Sequence, residues 1–210
     1  AVPALVCAWA LYLSVCSVGR VFMGYQWDAL LLETGALAVL YAGRRSLASV
    51  GASEAAAGVF VRLLALKLFF FSGTAKLMSG DATWRDGTAL LHHFETQPLP
   101  TWVGAYVHQL PDGVLRLGAV VVFVGQVLLP WGLLLPWGVR RFSVAGLFGL
   151  QVLIALTGNY GFFNLLAVVL LLPAVPDRAM LRMLPPSLRA VAARRLKDAM
   201  ASRRVVRIER

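Results

Sequence analysis

Lys76, His92, His93 and Glu95 are the residues whose types and spacing could do acid–base or metal chemistry, and all four fall within 69–100, FFFSGTAKLMSGDATWRDGTALLHHFETQPLP. A lysine held away from water gives up its proton more readily and can then act as a general base. The commoner role for a cation inside apolar sequence is an ion pair. Asp28 and Glu33 are the acids within reach of an antiparallel neighbour, so Lys76 is expected to pair with one of them. Adjacent histidines on a helix point about 100° apart and rarely reach one ion, and no second ligand cluster follows. No metal and no cofactor are therefore expected. The chain also lacks a GxSxG elbow, an HExxH helix and a glycine-rich phosphate loop, so it carries no visible hydrolytic machinery.

The elements that must position these residues are apolar helices. Of the 210 residues 59% are hydrophobic and only 14% charged, with mean hydropathy +0.74. That is more apolar surface than a core of this size can hide, which makes lipid the expected solvent. Spanning the hydrocarbon takes roughly twenty helical residues. Six apolar segments are predicted, at 3–18, 27–41, 57–78, 114–136, 142–157 and 162–175. The fold expected is all-α, a multi-pass transmembrane helical bundle of about six apolar helices with an interfacial helical loop. Residues 1–176 form the membrane domain, with an extracytoplasmic loop at 79–112, and 177–210 a basic amphipathic tail.

Charge orients this arrangement. The net charge is +10, yet half of the Lys and Arg residues lie beyond Pro176, and the remainder are scattered. A basic tail beside a membrane reads as cytoplasmic retention and contact with anionic lipid, not as a nucleic-acid surface. With six spans, Arg44 and Arg45, Arg140 and Arg141, and the tail fall on one side. Asp81, Asp86, Glu95 and Asp112 fall on the other, as the positive-inside bias requires. Inside the apolar segments, Asp28, Glu33, Lys67, Lys76, Gln126 and Gln151 are expected to find polar partners on neighbouring helices. The run 72–75, Ser-Gly-Thr-Ala, would let a helix approach closely. Trp84 and Trp102 suit the interface. Asp86 or Thr88 is expected to start a short helix through His93. Cys7 and Cys16, nine residues apart, lie on opposite faces of one helix and cannot bridge each other. The chain opens on Ala with no charged leader or cleavage site, so residues are expected to precede it.

Several strings in this sequence resemble the lipase maturation factor family. They are Tyr25-Gln26-Trp27-Asp28 with Leu30-Leu31-Leu32-Glu33, Ser72-Gly73 with Lys76-Leu77, Ser79-Gly80-Asp81 with Thr83-Trp84, and Glu95-Thr96-Gln97-Pro98-Leu99-Pro100. Gln151 and Thr157-Gly158-Asn159-Tyr160-Gly161-Phe162-Phe163-Asn164-Leu165-Leu166 complete them. The resemblance implies a multi-pass membrane protein of the endoplasmic reticulum, or of the cytoplasmic membrane in a bacterium, that helps secreted dimeric lipases fold and assemble without hydrolysing lipid itself. Its partners would be those lipases, as folding clients, and membrane lipid, with no nucleic acid. Family members usually carry a soluble domain after the membrane region, where this chain has a short basic tail; animal members are described with five spans, where the charge count gives six. A fainter likeness, small residues followed by Lys-Leu and then Trp, reaches the transmembrane domain of vitamin K-dependent carboxylase relatives. It would place Lys76 where that enzyme has its base.

The function expected is thus a membrane-bound maturation factor or chaperone, not an enzyme. Its client-contact or structural motif comprises Glu95, Thr96, Gln97, Pro98, Leu99, Pro100, Asn159, Tyr160 and Asn164. The plainer role of Asn159 and Asn164 is to close the turn between the last two segments. The alternatives are an integral-membrane enzyme using Lys76 as general base on a lipid-soluble substrate, or a transporter built on Lys67, Gln126 and Gln151.

Overall fold

The computed structural model describes residues 2–47, 54–97 and 99–194, with side chains at 43–47 and 54–57 excepted. Every element among the described residues is helical. Val2–Gly19 (α1) runs on through a 3-10 turn, Arg20–Met23. Gln26–Leu47 (α2) and Glu54–Met78 (α3) follow. Three short helices come next, Ala82–Arg85 (α4), Ala89–Thr96 (α5) and Trp102–His108 (α6). Asp112–Phe123 (α7) continues as a π-helical stretch, Val124–Leu128, and a 3-10 stretch, Leu129–Leu134. Trp137–Thr157 (α8) and Phe162–Leu171 (α9) complete the first compact unit, Ala1–Ala174.

All six apolar segments are helical, but fewer than six are long and apolar enough to cross a membrane. Among the described residues four qualify: Val2–Met23, Gly58–Met78, Asp112–Leu134 and Trp137–Thr157. α2 has the length, at 22 residues, but carries Asp28, Glu33, Arg44 and Arg45. The apolar helix Phe162–Ala174 rises only about 20 Å, against roughly 30 Å of hydrocarbon. By length and composition, then, about four helices among the described residues qualify as spans, and charge in α2 and brevity in the last helix account for the difference.

α3 is the hub. Its buried side chains Val61, Leu64, Ala65 and Phe69 recur at helical spacing. They pack with Leu30 of α2, Leu133 at the end of the broken helix, Leu147 of α8 and Ala167, Leu170 and Leu171 of α9. α1 is peripheral: it packs on α2, has no buried residue, and is fastened by polar groups. Trp9 Nε1 donates to the Leu32 carbonyl (2.9 Å) and the Tyr12 hydroxyl to Asp28 Oδ1 (2.7 Å).

The break in the fourth apolar segment has a local cause. Pro130 has no N–H to give the carbonyl of Gln126, and its ring crowds that carbonyl. The turn before it widens to π geometry and the turn after it tightens. Gln126 sits in the widened turn, buried and facing α3.

Val175–Arg210 is a second compact unit. Within it, Asp177–Met183 (α10) is followed by a further helical stretch at 186–194. Arg189 donates to the carbonyls of Arg182 and Leu184, both at 3.0 Å, and so satisfies acceptors left open at the end of α10.

Candidate functional site

The loop between α3 and α7 folds into the three short helices, each started by its own sequence. Asp81 caps α4, its Oδ1 accepting from Thr83 N (2.9 Å) and Thr83 Oγ1 (2.8 Å). Those two bonds hold the exposed Asp81 carboxyl below the usual aspartate range. α5 starts after Thr88, as expected, although the Thr88 hydroxyl makes no capping bond. Thr101 caps α6, accepting from Gly104 N (3.0 Å) while its hydroxyl donates to the Leu156 carbonyl (2.6 Å). Gly104 lies so close to α8 that a Cβ there would sit 2.6 Å from the Thr157 carbonyl oxygen. The loop is thus packed on the bundle: α5 lies on α7, α6 on α8, and Arg116 donates to the Asp86 carbonyl (3.0 Å).

Two polar sites result. At the first, Lys76 Nζ donates to Gln126 Oε1 (2.9 Å) and to its own helix at the Ser72 carbonyl (3.0 Å). The ammonium lies 5.3 Å from the centre of the Trp84 ring, which in turn meets Phe123 edge-on at 5.6 Å. Gly73 makes this corner: a Cβ there would be 2.7 Å from Val127 Cγ2 and 3.0 Å from Gln126 Cβ. The expected pairing of Lys76 with Asp28 or Glu33 is replaced. Lys67 takes Glu33, and Asp28 accepts from the Tyr12 hydroxyl and, at 3.3 Å, from Tyr25 N. The antiparallel register that sets Glu33 beside Lys67 carries Lys76 past both acids. A carbonyl, an amide oxygen and an aromatic face therefore stand in for a carboxylate.

The second site is a recess of about 490 Å³. His93 and Thr96 of α5, with Gln97 and Leu99 just beyond it, form one wall. Asn159, Tyr160, Gly161 and Phe162, from the turn between α8 and α9, form the other, and Trp27 of α2 closes the side. Gln97 Nε2 donates to the Thr157 carbonyl (3.1 Å), which ties the two walls together. The turn needs Gly161, whose φ of +56° lies in the left-handed region. Tyr160 Oη and His93 Nε2 are 3.3 Å apart. Burial, and then the positive charge of Lys76, push His93 below its ordinary value; burial alone raises Tyr160. Both groups are therefore neutral near pH 7, and the recess carries aromatic walls, amides and a hydroxyl but no formal charge.

The remaining expected residues lie elsewhere. Glu95 faces away, 3.5 Å from His108 Nε2. Asn164 is buried in α9 and donates to the Gln151 carbonyl (3.3 Å), a helix contact and not a turn contact. The Gln151 side chain is buried with its Oε1 unpartnered. Pro100 is exposed, and Pro98 lies outside the described residues. His92 is exposed while His93 faces the recess, and no group of three His, Cys, Asp or Glu gathers among the described residues. Sequence reasoning missed Trp9, Tyr12 and Thr101. The signal for Trp9 and Tyr12 was two polar-tipped rings one turn apart in an otherwise apolar helix; for Thr101 it was a threonine directly before Trp102.

The family model for the lipase maturation factor transmembrane domain matches residues 1–182. The chain belongs to the lipase maturation factor family. Lipase maturation factor 2 of Rattus norvegicus is 42% identical over 183 residues, covering 81% of this chain and 26% of that protein. The Homo sapiens protein of the same name is 41% identical over 184 residues, with the same coverage. Lipase maturation factor 1 of Mus musculus is 29% identical over 175 residues, 82% of this chain and 30% of its own length. The chain spans about a quarter of the length of the lipase maturation factor 2 relatives it matches. No solved structure matches it. In this family member, three of the strings that carried the resemblance, YQWD, ETQPLP and TGNYGFFN, each contribute residues to the one neutral recess.

Proposed function

We propose that this chain is the membrane region of a maturation factor for secreted lipases, acting as a folding aid and not as a hydrolase. The recess between α5 and the α8–α9 turn would meet the client on the lumenal side, in the endoplasmic reticulum of a eukaryote or across the cytoplasmic membrane of a bacterium. One observation carries the reading: Trp27, Gln97 and Tyr160, far apart in sequence, line one uncharged, aromatic-walled cavity. Such a surface suits peptide groups and apolar side chains of an incompletely folded protein. The Gln97–Thr157 bond and the close seat of α6 on α8 would hold that cavity in shape.

The test is co-expression of a secreted dimeric lipase with the full chain in cells lacking other maturation factors. Lipase activity per unit of secreted enzyme should rise with the factor, and Gln97→Ala combined with Tyr160→Ala should remove most of that gain. Equal specific activity with and without the factor would overturn the proposal.

Lys76 as a general base on a lipid-soluble substrate is the second reading. The feature that favours it is a half-buried lysine beside Trp84 whose hydrogen bonds go to neutral oxygens and not to a carboxylate. Those same oxygens bind the ammonium form, which weakens the case for a base. Lys76→Arg keeps the charge and cannot act as a base, so retained function in that variant removes this reading. For a transporter, Lys67, Gln126 and Gln151 would have to share a polar path, whereas each has separate surroundings.

A further inference from the structure

The outward face of α3 is an apolar stripe with one cation at its centre. Phe60, Leu63 and Phe71 are exposed there by 53, 41 and 59%. Lys67 falls in the same stripe at helical spacing, its side chain half-exposed (50%), and it pairs with Glu33 of α2, exposed by 41%. Lys67 lies near the middle of the membrane-length stretch Gly58–Met78, about 14 Å of helix from the near end. That is too deep for a lysine stem to carry its ammonium to the interface.

An intramembrane ion pair ordinarily faces the interior of a bundle or a wet cavity. Here it borders an open, shallow hollow of about 390 Å³, whose other walls are Ala36, Leu37, Leu63 and Leu64. Facing acyl chains, a half-exposed pair keeps the cost of leaving water with only one partner to offset it. Covering the pair with more hydrocarbon would not help, because what the site needs is a complementary pair of charges.

We propose that a second copy of this chain covers the hollow, with α2 and α3 of the two copies meeting across a two-fold axis in the membrane. Charge selects this occupant. A Lys–Glu pair is self-complementary under a two-fold rotation: Lys67 of each copy approaches Glu33 of the other, and the two pairs close into a ring of four alternating charges. Ala36 gives the small contact residue that close helix approach requires, and Phe60, Leu63 and Phe71 give the surrounding apolar surface.

The experiment is cysteine cross-linking of the full chain in native membranes, with Cys7 and Cys16, both free, first replaced by serine. Ala36→Cys copies should cross-link to each other at least tenfold above a Val152→Cys control on the exposed face of α8. Glu33→Lys alone sets four cations together and should abolish the cross-link. Glu33→Lys combined with Lys67→Glu reverses every pair, keeps the alternation and should restore it, which separates a charge effect from misfolding. A cross-link no stronger than the Val152 control would overturn the proposal. So would a swapped double variant that folds but fails to cross-link, or position 36 cross-linking to another part of the same chain or to a different membrane protein.

Discussion

Lys67 and Lys76 stand nine residues apart on one helix, which puts them on opposite faces, and the bundle treats them differently. Lys67 faces outward, half-exposed, and is met by a full carboxylate. Lys76 turns inward beneath the short helices and is met by an amide, a backbone carbonyl and the face of Trp84. A carboxylate neutralises charge even where little else surrounds it. Neutral dipoles suffice only where they are held in place, and the π turn and Gly73 do that for Lys76. The contrast teaches that rigidity of the ligands, as much as their charge, decides whether an apolar helix can carry a lysine.

Gln126→Leu should break the inward site most severely. It leaves a half-buried ammonium without its side-chain acceptor, for a loss of about 2–3 kcal/mol in denaturant unfolding of the detergent-solubilised protein. Gly73→Leu attacks the same site through packing and should cost about 1–3 kcal/mol by the same measurement. The outward site should be more forgiving. Glu33→Gln should cost about 1 kcal/mol in detergent, where water reaches the pair, and the gap between the two faces should narrow in lipid bilayers. If Glu33→Gln proved the more damaging change in detergent, the contrast would be wrong.

A finer test uses the charge Lys76 projects onto the recess. His93 is held below its ordinary value of 6.5, so the unfolded chain binds the proton more readily than the folded one. Stability from this group is complete above pH 6.5 and declines as pH falls through the folded value. His93→Gln should flatten that acid limb. Lys76→Met should make that limb shallower without removing it, because the second cause of the depression is then gone while burial remains. Chemical unfolding between pH 5 and 8 reads both effects, which are the smallest of this series.

Much of this was legible in the residues. Apolar runs of membrane length told the helices apart because hydrocarbon contact demands such composition. The Gly-Asn turn at 158–161 marked the link between α8 and α9, whereas the break at Pro130 was not read and the fourth segment was expected to run unbroken. The expectation that Ser72-Gly73 permits close approach identified a face of α3, though not the partner that would use it. The pairing of Lys76 was misread because depth along a helix was judged from segment ends, and neither the register between α2 and α3 nor the rotation of α3, which together decide which lysine stands opposite Glu33, can be read from one segment. Asn164 was likewise read as a turn residue, when its place in the first turn of α9 sends its amide to α8.

By itself the sequence determined the all-helical membrane character, the family and the strings that matter, because composition and local order act through contacts within a few turns. Tertiary structure alone decided that YQWD, ETQPLP and TGNYGFFN share one cavity, and which lysine meets a carboxylate. Both depend on helix register and rotation, which are fixed by how distant side chains interlock, and no property of one segment contains that information.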